Sequence, residues 1–276
     1  MDSLSSVEID TLRTFLYSTA GLDLGAGKEY LINSRLGEVC KVFNIASLSS
    51  LVAQLKGGRS KVRDAVLEAM TTNETSFFRD TSPFDALREQ LIPDLIKQNQ
   101  STRSLRIWSA ACSTGQEPYS LAMLLRENFP ELDSWNVSIL GTDIAEEKVL
   151  EQARRGCYSQ YEVGRGLPAR LLVKYFRQAG RDWEVDPSLK KIVNFQKLNL
   201  VSIPSTFPQF DLVLCRNVLL YFDMPTKERI LVAMSRHLTP TGYLMLGGSE
   251  VLIGIAPGLQ RYVVGRATCY RLQNKA

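Results

Sequence analysis

The sequence predicts an α/β fold built on a doubly wound, mostly parallel sheet, with a small all-helical domain before it and a small subdomain inserted into it. Three observations carry that prediction. Apolar runs of strand length at residues 105–108, 137–143 and 210–215 alternate with helical patterns, as in repeated βαβ units. Residues 1–70 carry helical periodicity only. Residues 157–191 break the strand–helix alternation and hold a turn, 179–182, between two short strand-like runs.

In order along the chain, Val7, Leu12, Phe15 and Leu16 predict an amphipathic helix, with Gly21 and Gly25 near its end. Tyr30, Leu31, Leu36, Val39 and Val42 predict a second, and Leu48, Leu51, Val52 and Leu55 a third. Gly57-Gly58 separates these from a fourth at residues 62–70. Residues 71–83, TTNETSFFRDTSP, form a linker carrying Asn73, Thr75, Arg79 and two phenylalanines, more chemistry than a spacer needs. Residues 84–276 form the α/β domain, opening with a helix at 84–96. A helix at 146–154 precedes the insertion, where Leu171, Leu172, Tyr175 and Phe176 read as helical. The alternation resumes with a strand at 191–195, the loop holding Asn199 and Leu200, and the strand 210–215. Asp223 suits the N-cap of a helix containing Ile230, Leu231, Met234 and Leu238. A strand at 242–246 and an antiparallel pair, 259–264 and 268–272, close the chain.

The chain is organised around residues 105–125, LRIWSAACSTGQEPYSLAMLL. A strand leads into a run of small residues, Ser109 to Gly115, and then into a helix with Pro118 in its first turn. Small side chains let backbone approach a ligand closely, and a doubly wound sheet binds ligands at the carboxyl ends of its strands. The lone Gly115 matches neither the dinucleotide fingerprint nor a phosphate loop. Asp143, ending the second strand, is placed to accept both hydroxyls of a ribose, so the pocket suits a nucleoside whose phosphates, if any, are not the main handle. Glu117, Asn199, Arg216, Asn217 and Tyr221 gather with Asp143 along the same sheet edge.

Composition narrows the function classes. Apolar content of 45% and charged content of 22% are those of a globular protein, and no apolar run reaches the roughly 18 residues of a membrane span. The N-terminus lacks the pattern of a signal peptide, so a cytoplasmic protein is expected. Five cysteines without paired spacing predict reduced thiols and no zinc site. The single histidine, His237, sits near a helix end, is expected to be structural, and leaves multi-histidine metal sites out. The net charge of +4 is too mild to argue for nucleic acid. Between residues 28 and 63, however, seven basic residues (Lys28, Arg35, Lys41, Lys56, Arg59, Lys61, Arg63) face only Glu29 and Glu38. They form either a solvated helical face or a docking surface for an acidic partner.

The segments NETSFFRD (73–80), SAACSTGQEPYSLAM (109–123), GTDI (141–144), NL (199–200), FDLVLCRNVLLYFD (210–223) and GYLMLGGSE (242–250) together resemble the chemotaxis receptor methyltransferases, the CheR family. The resemblance spans nearly the whole chain. It implies a Rossmann-like class I methyltransferase domain with an inserted β-subdomain, and methyl transfer from S-adenosylmethionine to receptor glutamates without a metal. It places cofactor contacts at Asn73, Thr75, Arg79, Ala111, Glu117, Asp143, Asn199, Leu200, Arg216 and Asn217. It gives Arg79 and Tyr221 roles at the reacting groups, and makes Arg35, Lys56, Arg59, Lys61 and Arg63 a surface for the receptor's cytoplasmic domain. A monomer that neither binds nucleic acid nor inserts into a membrane is expected. The turn after Phe176 is shorter than in members that hold a receptor C-terminal peptide, which implies independence from such a tether. Methylation of another substrate and a cofactor-binding regulatory module are the competing readings.

Overall fold

The structure is a computed structural model describing residues 4–25, 27, 29–56, 60–250 and 258–273. Its N-terminal helices are α1 (Ser6–Ala20), α2 (Glu29–Val42), α3 (Leu48–Lys56) and α4 (Ser60–Met70). Ser5 and Glu8 start α1 with reciprocal hydrogen bonds, Glu8 Oε2 accepting from the Ser5 amide at 2.8 Å. Gly21 ends it in the left-handed region, its amide donating to the Tyr17 carbonyl at 2.8 Å. Leu12, Phe15 and Leu16 meet Ile32, Leu36, Leu51, Leu55 and Val66 in one core. Three residues expected on apolar faces, Val7, Tyr30 and Val42, are instead exposed. For Tyr30 the reason is geometric, since it lies two positions before the inward-facing Ile32, and at 3.6 residues per turn that is about half a turn.

The linker leads into α5 (Thr81–Ala86), a π turn at Leu87–Leu91 and α6 (Ile92–Gln98), where the sequence predicted one helix at 84–96. Pro93 accounts for the wider turn, because it has no amide to donate to residue 89 and its ring would crowd that carbonyl. Next come β1 (Ser104–Ala110), α7 (Gln116–Asn128), β2 (Asn136–Asp143), a π turn at Glu146–Leu150 and α8 (Glu151–Arg155). The insertion contains β3 (Cys157–Ser159), α9 (Gln160–Val163), α10 (Ala169–Tyr175), β4 (Phe176–Ala179), β5 (Asp182–Val185) and α11 (Pro187–Lys190). Its three strands form a separate antiparallel sheet in the order β3-β5-β4. The chain then returns with β6 (Val193–Lys197), β7 (Phe210–Cys215), α12 (Met224–Ser235), β8 (Leu238–Leu246), β9 (Leu259–Val264) and β10 (Ala267–Leu272).

The main sheet has seven strands in the order β6-β2-β1-β7-β8-β10-β9. Five are parallel, and β10 and β9 close the edge antiparallel. The first strand is central, with β2 added on one side and β7 on the other, so chain order reverses direction at β1 and opens a crevice there. Alternate side chains feed two cores. Ile107, Leu212 and Leu214 join α5, α6 and α7 on one face, while Trp108, Val213 and Cys215 join α12 on the other.

Three boundaries differ from the sequence reading. The strand expected at 191–195 begins at Val193, paired with Ile139 of β2. Phe176 starts β4 instead of ending α10. Leu238 belongs to β8 and not to α12, because Phe210 pairs with it and draws its amide to the His237 carbonyl at 2.8 Å. His237 itself is buried, its Nδ1 3.0 Å from the Phe207 carbonyl, as a structural histidine should be. Among the described residues, no helix is long and apolar enough to cross a membrane.

Candidate active site at the carboxyl end of the sheet

A cleft of ≈ 990 Å³, counted to its open mouth, lies over the ends of β1, β2 and β7. Every residue the sequence assigned to cofactor or catalysis lines it: Asn73, Thr75, Arg79, Ala111, Glu117, Asp143, Asn199, Leu200, Arg216, Asn217 and Tyr221. The turn after β1 is tightly wound, with Ala111 (φ 54°), Ser113 (φ 52°) and Gly115 (φ 93°) all left-handed. Only the last is glycine, and a Cβ there would lie 2.9 Å from that of Ala153. Ser113 and Ala145 donate their amides to the two oxygens of Asp143, at 2.9 and 3.0 Å. That carboxylate therefore fixes the turns after β1 and β2 relative to each other. Burial raises its pKa above the usual aspartate value, and the backbone amides partly oppose the rise. Each of its oxygens still has a lone pair for a ligand hydroxyl.

Glu117, the second residue of α7, accepts from Ser109 Oγ at 2.7 Å and from Arg216 Nη1 at 2.8 Å. Arg216 Nη2 donates to the Arg79 carbonyl at 2.6 Å and to Asp80 at 3.0 Å. Its side chain is 2% exposed, and its Nε has no partner among the described residues. Glu117 thus serves first as the counter-ion of a buried guanidinium that ties β7, α7 and the linker together. A direct contact with the cofactor, which the resemblance implies, has to be shared with that pair.

The linker is pinned at several points. Ser113 Oγ donates to the Asn73 carbonyl at 2.9 Å, and the Phe78 amide donates to Ser120 Oγ at 2.9 Å. Phe78 (φ 47°) and Asp80 (φ 61°) flank Arg79 in strained backbone. Arg79 lines the cleft with its Nη1 on the Glu74 carbonyl at 2.8 Å. Asn217 is also left-handed (φ 58°), and its amide donates to Glu250 at 2.7 Å. Glu250 accepts as well from the amides of Leu219 and Gly247, at 2.7 and 2.9 Å, and so organises the loop after β7.

The helical domain supplies part of the wall. Ala20, Leu22 and Met70 line the cleft beside Ile144 and Leu200. Asn199 Nδ2 donates to the Thr19 carbonyl at 2.6 Å, Tyr17 Oη to Asp223 at 2.8 Å, and the Asp23 amide to the Tyr221 carbonyl at 3.5 Å. Sequence reasoning missed Ser113, Glu250, Ala20 and Leu22. Glu250 left one signal, a carboxylate directly after Gly-Gly-Ser where a strand ends at the site edge.

The basic residues of the helical domain do not form one uniform surface. Arg35 donates to the carbonyls of Met70 and Thr71 at 3.0 and 3.1 Å, ending α4 and holding the linker. Arg63 donates to the Leu55 carbonyl at 3.1 Å and lies over the Phe15 ring. Both guanidinium groups therefore take part in the chain's own packing, beside any role in docking. Lys56 and Lys61 are exposed, and Arg59 lies outside the described residues.

The cleft fits an adenosine-containing ligand on its own chemistry. It offers a buried carboxylate at the end of the second strand, left-handed turns that present backbone, and apolar walls for a ring. A model of the CheR methyltransferase SAM-binding domain matches residues 73–263, and one of the CheR methyltransferase all-alpha domain matches residues 8–71. The chain belongs to the CheR methyltransferase family. Chemotaxis protein methyltransferase 1 of Pseudomonas aeruginosa is 41% identical over 274 residues, covering 98% of this chain and 99% of its own. A chemotaxis protein methyltransferase of Vibrio parahaemolyticus is 38% identical, over 98% of each chain. One of Pseudomonas putida is 39% identical, over 92% of this chain and 93% of its own. S-adenosylmethionine is accordingly the cofactor of this CheR methyltransferase.

Proposed function

We propose that this CheR methyltransferase esterifies glutamate side chains in the cytoplasmic domain of chemotaxis receptors. The presence of Arg79 and Tyr221 in the lining of the cleft supports the reading, because a cation and a phenol are groups that can receive a carboxylate. When bound, the cofactor supplies an activated methyl group on a sulfonium. A glutamate carboxylate, with an ordinary pKa of about 4.3, is ionised at neutral pH and attacks without a general base. The new bond joins methyl carbon to carboxylate oxygen, and the electron pair of the broken bond stays on sulfur. His237, buried against Phe207, takes no part.

The chain's own work is to bind, orient and exclude water. Asp143 holds the ribose hydroxyls, and Leu22, Ile144 and Leu200 cover the nucleoside. Arg79, presented by strained backbone, orients the substrate carboxylate through a charge-assisted contact. Lys56 and Lys61 meet the acidic region of the receptor. Gly180 (φ 65°) and Arg181 alone connect β4 to β5, too short a turn to cover a bound peptide, so methylation proceeds without a receptor C-terminal tether. The enzyme acts as a monomer in the cytoplasm, where the receptor domain lies.

Incubation with methyl-labelled cofactor and receptor-containing membranes tests the reading. Label on the receptor that is released by mild base identifies a methyl ester. Base-stable label would point to another acceptor atom, and cofactor binding without any transfer would point to a regulatory module.

A further inference from the structure

The inserted sheet reaches both loops that build the cofactor cleft. Gly166, between α9 and α10, has φ 81°, and a Cβ placed on it would lie 2.0 Å from the Phe77 carbonyl oxygen. The insertion therefore rests directly on the linker backbone, two residues before Arg79. The Phe77 ring is fully buried, edge-on to Tyr158 of β3 at 5.1 Å and to Phe176 of β4 at 5.6 Å. Tyr158, also fully buried, donates its hydroxyl to the Thr114 carbonyl at 2.8 Å, inside the turn that follows β1. Arg165, next to Gly166, pairs with Glu74 of the linker.

On its other side the linker is held by α7, through Ser120 at Phe78, and by Arg216, through the Arg79 carbonyl and Asp80. Phe78 and Asp80 keep left-handed backbone that non-glycine residues adopt only where their surroundings over-determine it. The insertion is one jaw of that clamp.

We propose that Gly166 and Tyr158 are positioning residues for methyl transfer, Gly166 setting the linker that presents Arg79 and Tyr158 setting the turn that receives the cofactor. The proposal rests on the reading of the cleft given under Proposed function. A purely architectural role predicts that the same residues matter to melting temperature and to nothing else. A positioning role predicts losses in the chemical step and in cofactor affinity while the protein is folded.

The experiment compares wild type, Gly166→Ala, Tyr158→Phe and a control, Arg177→Ala, which removes an exposed ion pair with Glu184 in the same subdomain. S-adenosylhomocysteine affinity is measured by calorimetry, and kcat on receptor membranes at saturating cofactor, both well below each variant's melting temperature. A methyl group forced against Phe77 displaces the linker by an ångström or so, and misplacement on that scale costs about 100-fold in kcat. Tyr158→Phe keeps the ring and leaves the Thr114 carbonyl without its donor, so Kd rises about fivefold with a smaller change in kcat. Arg177→Ala stays within about twofold in both. If Gly166→Ala does not fold, Tyr158→Phe decides alone. Folded variants with lowered melting temperatures but kcat and Kd within about twofold of wild type would overturn the proposal. Wild-type protein that fails to bind S-adenosylhomocysteine would instead sink the proposed function, and this inference with it.

Discussion

Replacing Glu117 with glutamine tests the ion network at the centre of the site. Arg216 is 2% exposed and Glu117 13%, and their contact at 2.8 Å is supported by Ser109 on one side and Asp80 on the other. Breaking a buried pair by removing one charge costs about 3–5 kcal/mol, because the remaining charge stays desolvated. Glutamine keeps an acceptor for one of the two donors, and Asp80, 54% exposed, keeps part of the counter-charge. The expected loss is therefore about 2–3 kcal/mol, at or below the lower end of that range. For a domain of this size about 2–4 °C accompanies each kcal/mol, so the melting temperature should fall by roughly 4–12 °C in scanning calorimetry. Arg216→Met in the same background should then cost less than in wild type, with a coupling of at least about 1 kcal/mol. An unchanged melting temperature, or additive effects of the two substitutions, would refute the assignment of Glu117 as the counter-ion.

With Asp143 holding the ribose hydroxyls as proposed, cofactor affinity should depend on pH. The Asp143 carboxyl titrates above the usual aspartate value of 3.8, so affinity should fall as pH drops through that raised value, and Asp143→Asn should bind weakly with a flat profile. The sign for the cofactor-free protein is opposite: with the folded pKa raised, this group contributes more stability as pH falls toward 3.8, which acid titration followed by circular dichroism can check. Asn199→Asp sets a second acceptor 2.6 Å from the Thr19 carbonyl, and should raise the cofactor Kd about tenfold and speed amide exchange around residues 17–23. Reversing Lys56 and Lys61 to Glu should raise KM for receptor and leave S-adenosylhomocysteine binding alone. That effect should shrink with salt, since exposed charges are screened within about 8–10 Å. Normal KM at low ionic strength would make the two lysines a solvated face.

The strands were legible because their pattern is local. Apolar runs such as Phe210–Cys215 announce a strand buried on both faces, and a polar residue at the end of such a run falls on the ligand-binding edge wherever the sheet is parallel. That rule was enough to collect Asp143, Arg216 and Asn217 into one cleft, and Glu117 came with the helix that follows the first strand. What the residues do there was less legible, because their partners are distant in sequence. Arg216 meets a carbonyl 137 residues earlier and Asn199 one 180 residues earlier, and no periodicity records such pairs. The carbonyls that Arg35 and Arg63 meet were hidden in the same way. A guanidinium that ends a helix or stacks on a ring reads like a surface charge until the carbonyls it meets are placed. The three exposed apolar residues, Val7, Tyr30 and Val42, show that hydrophobicity marks a helix more surely than it marks which face turns inward.

Ala20 and Leu22, at the end of α1, form one wall of the cleft, and the opposite walls belong to the other domain. A ligand filling such a cleft acts as a rivet between two bodies: every contact it makes with Leu22 favours the docked arrangement over any arrangement with the helices swung away. The coupling is reciprocal, so whatever pulls the helical domain outward weakens the grip on the ligand by the same factor. Were a receptor to engage the outer face of those helices, as proposed above, it would work on the cofactor equilibrium at a distance, and exchange of spent product for fresh cofactor would become a step that the docked partner hastens or delays.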